Sequence, residues 1–260
     1  MAKEETFFDF AATVGLTKHL GGIEATDRMA ELCRITKDSF VLDVGCGVGQ
    51  TACYLAEKIG CRVAGVDIKP AMVARSQERA KKTGLDQLTE FKTADAQELP
   101  YPDETFDAVI TESVTAFPED KLKAVSEYKR VTKPGGFIGL NESTWLKLPP
   151  PLEMIAWVSQ DIGSTVNPLS AEEWTALLKD AGLDVVFSDV LPVDPKVEAK
   201  GIVARYGMGS ILRTTLRAGG LYLRNANYRK FLKEVNEGGI TPENITEYFG
   251  YGIYIGKKPG

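Results

Sequence analysis

The side chains that carry chemistry are carboxylates, and several stand where an apolar run gives out. Residues 41–50 read VLDVGCGVGQ, an apolar run interrupted by Asp43 and followed by Gly45, Gly47 and Gly49 in alternation. Residues 62–67, RVAGVD, are a second apolar run that ends in Asp67. A strand, a glycine turn opening a helix, and a second strand ending in an acid form the arrangement that holds the ribose half of a nucleotide-like cofactor. The glycines let the backbone turn sharply and approach a ligand where a Cβ would collide. Asp67 falls one strand–helix–strand unit downstream, where a carboxylate accepts both ribose hydroxyl protons.

That pattern leaves the cofactor open. Gly47, Gly49 and Ala52 satisfy a degenerate dinucleotide fingerprint, so an NAD(P)-dependent oxidoreductase is one reading. Asp43 argues against it, because an acid just before the glycines repels an anionic pyrophosphate but tolerates the cationic amino acid moiety and sulfonium of S-adenosylmethionine. A second block, residues 93–109 (TADAQELPYPDETFDAV), puts Asp95 at the end of a third strand, positioned to accept a hydrogen bond from an exocyclic adenine amine. A third block, residues 128–138 (YKRVTKPGGFI), reads as a helix stopped by Pro134 and Gly135 and followed by another strand.

In this order and spacing the three blocks resemble the class I S-adenosylmethionine-dependent methyltransferases, most closely their small-molecule branch of ubiquinone/menaquinone-type and sterol-type enzymes. The resemblance runs over roughly residues 17 to 190. It implies S-adenosylmethionine as cofactor, with Asp43, Gly45, Cys46, Gly47 and Gly49 around its methionine part and Gln50 opening the helix. Asp67 and Ile68 would serve the ribose and one adenine face, Asp95 with Ala96 the adenine edge, and Glu112 the far wall. The function it implies is methyl transfer to a small-molecule acceptor by in-line displacement. A methyltransferase fold that only senses the cofactor is the non-enzymatic alternative.

The family shares a cofactor site but no universal catalytic residue, because the thioether leaves without protonation and most of the work is positioning and exclusion of water. Two catalytic candidates stand out. His19 is the single histidine, the side-chain type that can serve as a general base near neutral pH, so it is a candidate general base. Glu142, beside Asn141 at the end of a fifth strand, is a candidate on the substrate side, against a loop-structuring role. Trp145, Trp157, Tyr206, Tyr222 and Tyr228 are candidates for an apolar or cation-binding pocket, with packing inside a cap as the plainer role.

The elements that must position these groups follow from periodicity. Strands are expected near 40–45, 62–67, 88–93, 106–111 and 136–141, with helices near 50–59, 70–83 and 121–132. Such alternation implies a doubly wound, mostly parallel α/β sheet of seven strands with helices on both faces, a Rossmann-like methyltransferase fold. Ser170 to Glu173 reads as a capping box, with Trp174, Leu177, Leu178 and Ala181 at helical spacing, and Leu183 to Val193 as the sixth strand. The seventh strand has one good candidate, Tyr251 to Gly256, expected antiparallel and inside the sheet. The expected organisation is a lid and helix over 1–40, a cofactor-binding core over 41–195, a helical cap over 196–240, and a final strand over 241–260. Phe7, Phe8 and Phe10 are too apolar for a solvated tail and suggest the lid.

The 260 residues carry a formal net charge of −5, which disfavours polyanions. Arg75–Lys82 and Arg224–Lys233 are interleaved with acids or apolar residues, so nucleic acid is not an expected partner. No apolar run approaches the ~20 residues that cross a bilayer, and the start lacks a basic-then-apolar signal, so a cytoplasmic location is expected. Cys33, Cys46, Cys53 and Cys61 show no Cys-x-x-Cys spacing and read as free structural thiols. No cysteine follows residue 61 to hold a metalloid, and one histidine without a carboxylate cluster points to no metal. The oligomeric state is open, a homodimer among the options.

Overall fold

Val41, Leu42, Val44, Val63, Val66, Val109 and Ile110 are all at most 1 % exposed, as expected of strands covered on both faces. The computed structural model describes residues 7–14, 17, 19–161, 166–193, 209, 212–238 and 244–260. Helices α1 (Phe7–Val14) and α2 (Gly22–Leu32) precede strand β1 (Phe40–Val44). The alternating core follows as α3 (Gln50–Ile59), β2 (Arg62–Asp67), α4 (Pro70–Thr83), β3 (Thr89–Thr93), β4 (Phe106–Glu112), α5 (Lys121–Val131) and β5 (Thr132–Trp145). Then come α6 (Leu152–Asp161), β6 (Leu169–Ser170), α7 (Ala171–Asp180), β7 (Asp184–Pro192), α8 (212–224), α9 (Ala226–Gly238), α10 (Ile245–Tyr248) and β8 (Phe249–Lys257).

The strand order is β3-β2-β1-β4-β5-β8-β7, with the short β6 beside β5. Strands β1 to β5 pair in parallel, while β8 runs antiparallel between β5 and β7. The expected fold class and the inner, antiparallel last strand are thus found. The chain winds outward from β1 through β2 to β3, then returns to place β4 on the other side of β1. Ligands bind at such a reversal, beyond the carboxyl ends of the strands.

The capping box forms, with Glu173 N donating to the Ser170 hydroxyl and Ser170 N to the Glu173 carboxylate at 2.7 Å. Trp174 and Leu178 bury their side chains completely on one face of α7. The fifth strand, read from sequence as 136–141, differs at both ends and runs on to Trp145, which puts Glu142 within it. Strand β5 begins at Thr132 directly after α5, not after Pro134-Gly135, because the turn there is accommodated as an irregularity in the β4–β5 register. The five aromatics named above divide: Trp145 is buried and edge-on to Phe249 at 5.5 Å, Trp157 is edge-on to the same ring at 6.3 Å, Tyr228 is buried, Tyr222 is exposed, and Tyr206 lies outside the described residues. Of the 196–240 segment, α8 and α9 are described and helical; residues 196–208, 210–211 and 239–240 lie outside the description.

Candidate cofactor and active site

At the carboxyl ends of β1, β2 and β4 lies a cleft of about 450 Å³. That is within the range of small-ligand sites. Asp43, Gly45, Cys46, Gly47, Asp67, Ile68, Asp95, Ala96, Glu112 and His19 all line it. Gly49 caps α3 and Gln50 opens that helix at the same turn. Glu142 is absent from the walls.

The glycine turn is built so that only glycine serves. Gly45 has φ +71°, and a Cβ there would sit 2.2 Å from a Val114 methyl. Gly47 has φ +54°, and a Cβ would press on the Thr17 side chain at 3.1 Å. Its amide N–H is pinned by Asp67 Oδ2 at 3.0 Å, and Asp67 Oδ1 accepts from Lys69 N at 2.9 Å. A carboxylate offers about four lone-pair positions, so two remain for donors from the cleft. Burial pushes the Asp67 carboxyl above its usual range, and the two backbone N–H groups only partly offset it.

Asp95 Oδ1 accepts from Gln97 N at 2.8 Å, which fixes the turn after β3 where it lines the cleft. Ile68 is 63 % exposed, an apolar face turned to the cleft without covering. Cys46 lines the wall, but burial raises its thiol well above the ordinary range, so it is inert as a nucleophile. All four cysteines are free and buried.

Glu112, at the end of β4, accepts from Thr26 Oγ1 at 2.8 Å and Thr51 Oγ1 at 2.5 Å. His19 Nε2 is 3.3 Å from its Oε2, and His19 is only 6 % exposed. Asn141 Nδ2 donates to the Leu20 carbonyl at 2.9 Å and ties the same segment to β5. His19 is therefore anchored at the cleft wall.

Glu142 does something different from the role considered on the substrate side. It is fully buried, and its Oε1 accepts from Thr111 Oγ1, Val114 N and Thr115 N at 3.0, 3.0 and 2.7 Å, with Ala116 N on Oε2 at 3.3 Å. This carboxylate shapes the loop after β4, which supplies Ser113, Val114 and Phe117 to the cleft. Ser113 itself is held at φ +58°. Sequence spacing gave no signal for Thr17, Thr51, Val114 or Phe117 as lining residues.

The N-terminal helix packs on this turn, with Ala11 and Ala12 against Val48 and Met72. Arg75 donates to the Ala12 and Thr13 carbonyls at 3.0 and 3.1 Å, and the Phe10 ring packs tilted against Tyr228 of α9 with centroids 5.1 Å apart. The side chains of Phe7 and Phe8 lie outside the described residues.

A methyltransferase-domain family model matches residues 42–140. An uncharacterized protein of Haemophilus influenzae is 33 % identical over 226 residues, covering 84 % of this chain and 88 % of that one. The chain belongs to the S-adenosylmethionine-dependent methyltransferases. A 27-O-demethylrifamycin SV methyltransferase of Amycolatopsis mediterranei is 35 % identical over 161 residues, covering 61 % of this methyltransferase and 59 % of the relative. A methyltransferase of Geobacter sulfurreducens solved with S-adenosyl-L-homocysteine shares the fold at TM-score 0.73, with 21 % identity and 99 % of both chains covered.

The cofactor of this methyltransferase is S-adenosyl-L-methionine, and the NAD(P) alternative falls. The cleft fits that group, since the glycine cradle leaves room where a Cβ would stand and Asp67 keeps lone pairs free for it. Among the described residues no helix is long and apolar enough to cross a membrane, and no three His, Cys, Asp or Glu side chains cluster as a metal site.

Proposed function

We propose that the protein methylates a small, partly apolar organic acceptor that enters the cleft past Val114, Phe117 and Pro118. The observation that carries this is one cleft lined together by the acids Asp67 and Asp95, the glycines Gly45 and Gly47, and the apolar Val114, Phe117 and Pro118. Asp67 would take the ribose hydroxyls, Ile68 an adenine face, Asp95 and Ala96 the adenine edge. Asp43, Gly45, Cys46, Gly47, Gly49 and Gln50 would surround the methionine part, with Glu112 as the far wall. The bound cofactor supplies an electrophilic methyl group whose departure needs no proton. The protein's part is to hold the acceptor on the methyl axis and exclude water, for which α1 is the proposed lid and residues 196–240 the proposed cap.

The relative that methylates 27-O-demethylrifamycin SV, a small molecule, supports this acceptor class. The ubiquinone/menaquinone-type and sterol-type branch suggested by the sequence blocks is compatible with those apolar lining residues. The test is conversion of S-adenosylmethionine to S-adenosylhomocysteine across a panel of small hydroxyl, amine and activated-carbon acceptors, read by mass spectrometry. Methylated product from at least one acceptor supports the reading. Tight cofactor binding without turnover on any acceptor favours the sensing role instead.

A further inference from the structure

His19 is the only imidazole in the chain, and both of its ring nitrogens face oxygens. Nδ1 is 3.1 Å from the Leu20 carbonyl, and Nε2 is 3.3 Å from Glu112 Oε2 and 3.4 Å from Thr26 Oγ1. The Thr26 hydroxyl already donates to Glu112 Oε1 at 2.8 Å. Asn141 Nδ2, 3.5 Å from Nδ1, donates to the Leu20 carbonyl at 2.9 Å. A ring protonated only at Nε2 would donate to Glu112 and turn its Nδ1 lone pair toward the Leu20 carbonyl at 3.1 Å, with the second Asn141 N–H at 3.5 Å as its donor; the doubly protonated ring donates to both the nearer carbonyl and the buried carboxylate. A ring in that state is an acid and not a base.

The charge matters because of what else lines the cleft. Beside Asp67 and Asp95, proposed for the ribose and adenine, the cleft is lined by Asp43 on β1 and Glu112 on β4, both at least nine-tenths buried, while its other charged residues, Lys69 and the exposed Glu119, reach solvent. The neighbours from α2, α3 and β5, namely Thr26, Thr51 and Asn141, are neutral. Two carboxylates and one imidazolium sum to one negative charge. S-adenosylmethionine differs from its product by one positive charge, on sulfur.

We infer that His19 is a specificity-determining residue, held as an imidazolium by Glu112, whose charge sets how strongly the cleft prefers S-adenosylmethionine over S-adenosylhomocysteine. The inference rests on the cofactor occupying this cleft as proposed above. By balancing Glu112, the ring limits the pull on the sulfonium and keeps the two cofactor forms closer in affinity. A residue that merely anchored the 17–20 segment would affect both ligands alike, since they differ only in the methyl and its charge.

The experiment is calorimetric titration of the full chain and His19→Gln with S-adenosylmethionine and, separately, S-adenosylhomocysteine, alongside nitrogen-15 NMR of the imidazole. Gln keeps a donor toward Glu112, and the Thr26 and Thr51 hydroxyls continue to stabilise that carboxylate. The ratio of S-adenosylmethionine to S-adenosylhomocysteine affinity should rise roughly tenfold in His19→Gln, the scale of one screened unit charge across such a cleft. The wild-type ring should be protonated at pH 7.5 and lose that proton in Glu112→Gln. Because the chain has one histidine, the NMR readout needs no variant to fold. A neutral wild-type ring, or two affinities that fall in step, overturns the inference while leaving the cofactor site standing. If neither ligand binds the wild type, the proposed site fails and the inference with it.

Discussion

Replacing Asp67 with Asn changes one atom type at the centre of the proposed site. In the wild type, Gly47 N and Lys69 N occupy one position on each carboxylate oxygen. The two remaining positions would accept the ribose hydroxyls as charge-assisted bonds, each worth about 1.5–3 kcal/mol. Asn keeps one oxygen but turns an amide toward one of those backbone donors, so at least one ribose bond and one turn contact are lost. Taking the lower end for the one ribose bond gives about 1.5 kcal/mol, or roughly tenfold in Kd.

Stability should move much less. Burial raises the Asp67 carboxyl above its usual range, so the ionised group is already costly in the fold. A neutral amide removes that cost while losing a backbone contact, for a net change within about 1 kcal/mol. The pH signs oppose each other. A raised carboxyl contributes stability that is present below its unfolded pKa and is lost as pH rises through the folded value. Cofactor binding needs the carboxylate, so affinity should fall as pH drops through that same raised value, and this part of the fall should vanish in Asp67→Asn. The assay is calorimetry with S-adenosylhomocysteine across pH, paired with thermal melts. A Kd within threefold of wild type, in a variant that melts normally, would refute the assignment.

Further expectations concern the surroundings of the cleft. Glu142→Gln should cost about 1–3 kcal/mol in denaturant unfolding, because the amide faces Ala116 N and disturbs the 113–117 loop. Since burial raises the Glu142 carboxyl, the wild type's margin should narrow as pH climbs above the ordinary carboxylate range; a variant of full stability but lost turnover would point back to catalysis. Gly45→Ala imposes a left-handed non-glycine residue, about 1–2 kcal/mol by itself, and drives Val114 into the cleft, so melts and cofactor affinity should both drop; native values for both would contradict the cradle. Arg75→Met removes two donors from the last turn of α1, so amide exchange over residues 7–14 should speed up while the core melts nearly as before. Unchanged exchange there would show that Arg75 does not hold the helix down.

Legibility from sequence followed the range of the interactions. The glycine turn, the acids at strand ends and the capping box at Ser170 were readable because each is a local demand: a positive φ tolerated only without a Cβ, a period of two set against one of 3.6, a side chain reaching its own backbone three residues on. The inner place of the last strand was readable too, since Tyr251 to Gly256 was the sole strand-like stretch left to pair. The start of β5 is not legible in the sequence because Pro134 and Gly135 punctuate a helix and a bulge equally well, and only pairing with β4 decides between them.

What the chain's order could not encode is which distant groups meet. His19 meets Glu112 across more than ninety positions, and Glu142 reaches back to the loop after Glu112. Both look catalytic in isolation, since histidine and glutamate at strand ends carry protons in many enzymes. In the folded protein one is fastened to a buried acid and the other is saturated with backbone N–H groups. Sequence determined the cofactor frame because each of its parts is fixed by its immediate neighbours in the chain. Tertiary structure alone decided the protonation partners, because a carboxylate's role depends on which donors the fold brings within about 3 Å of it.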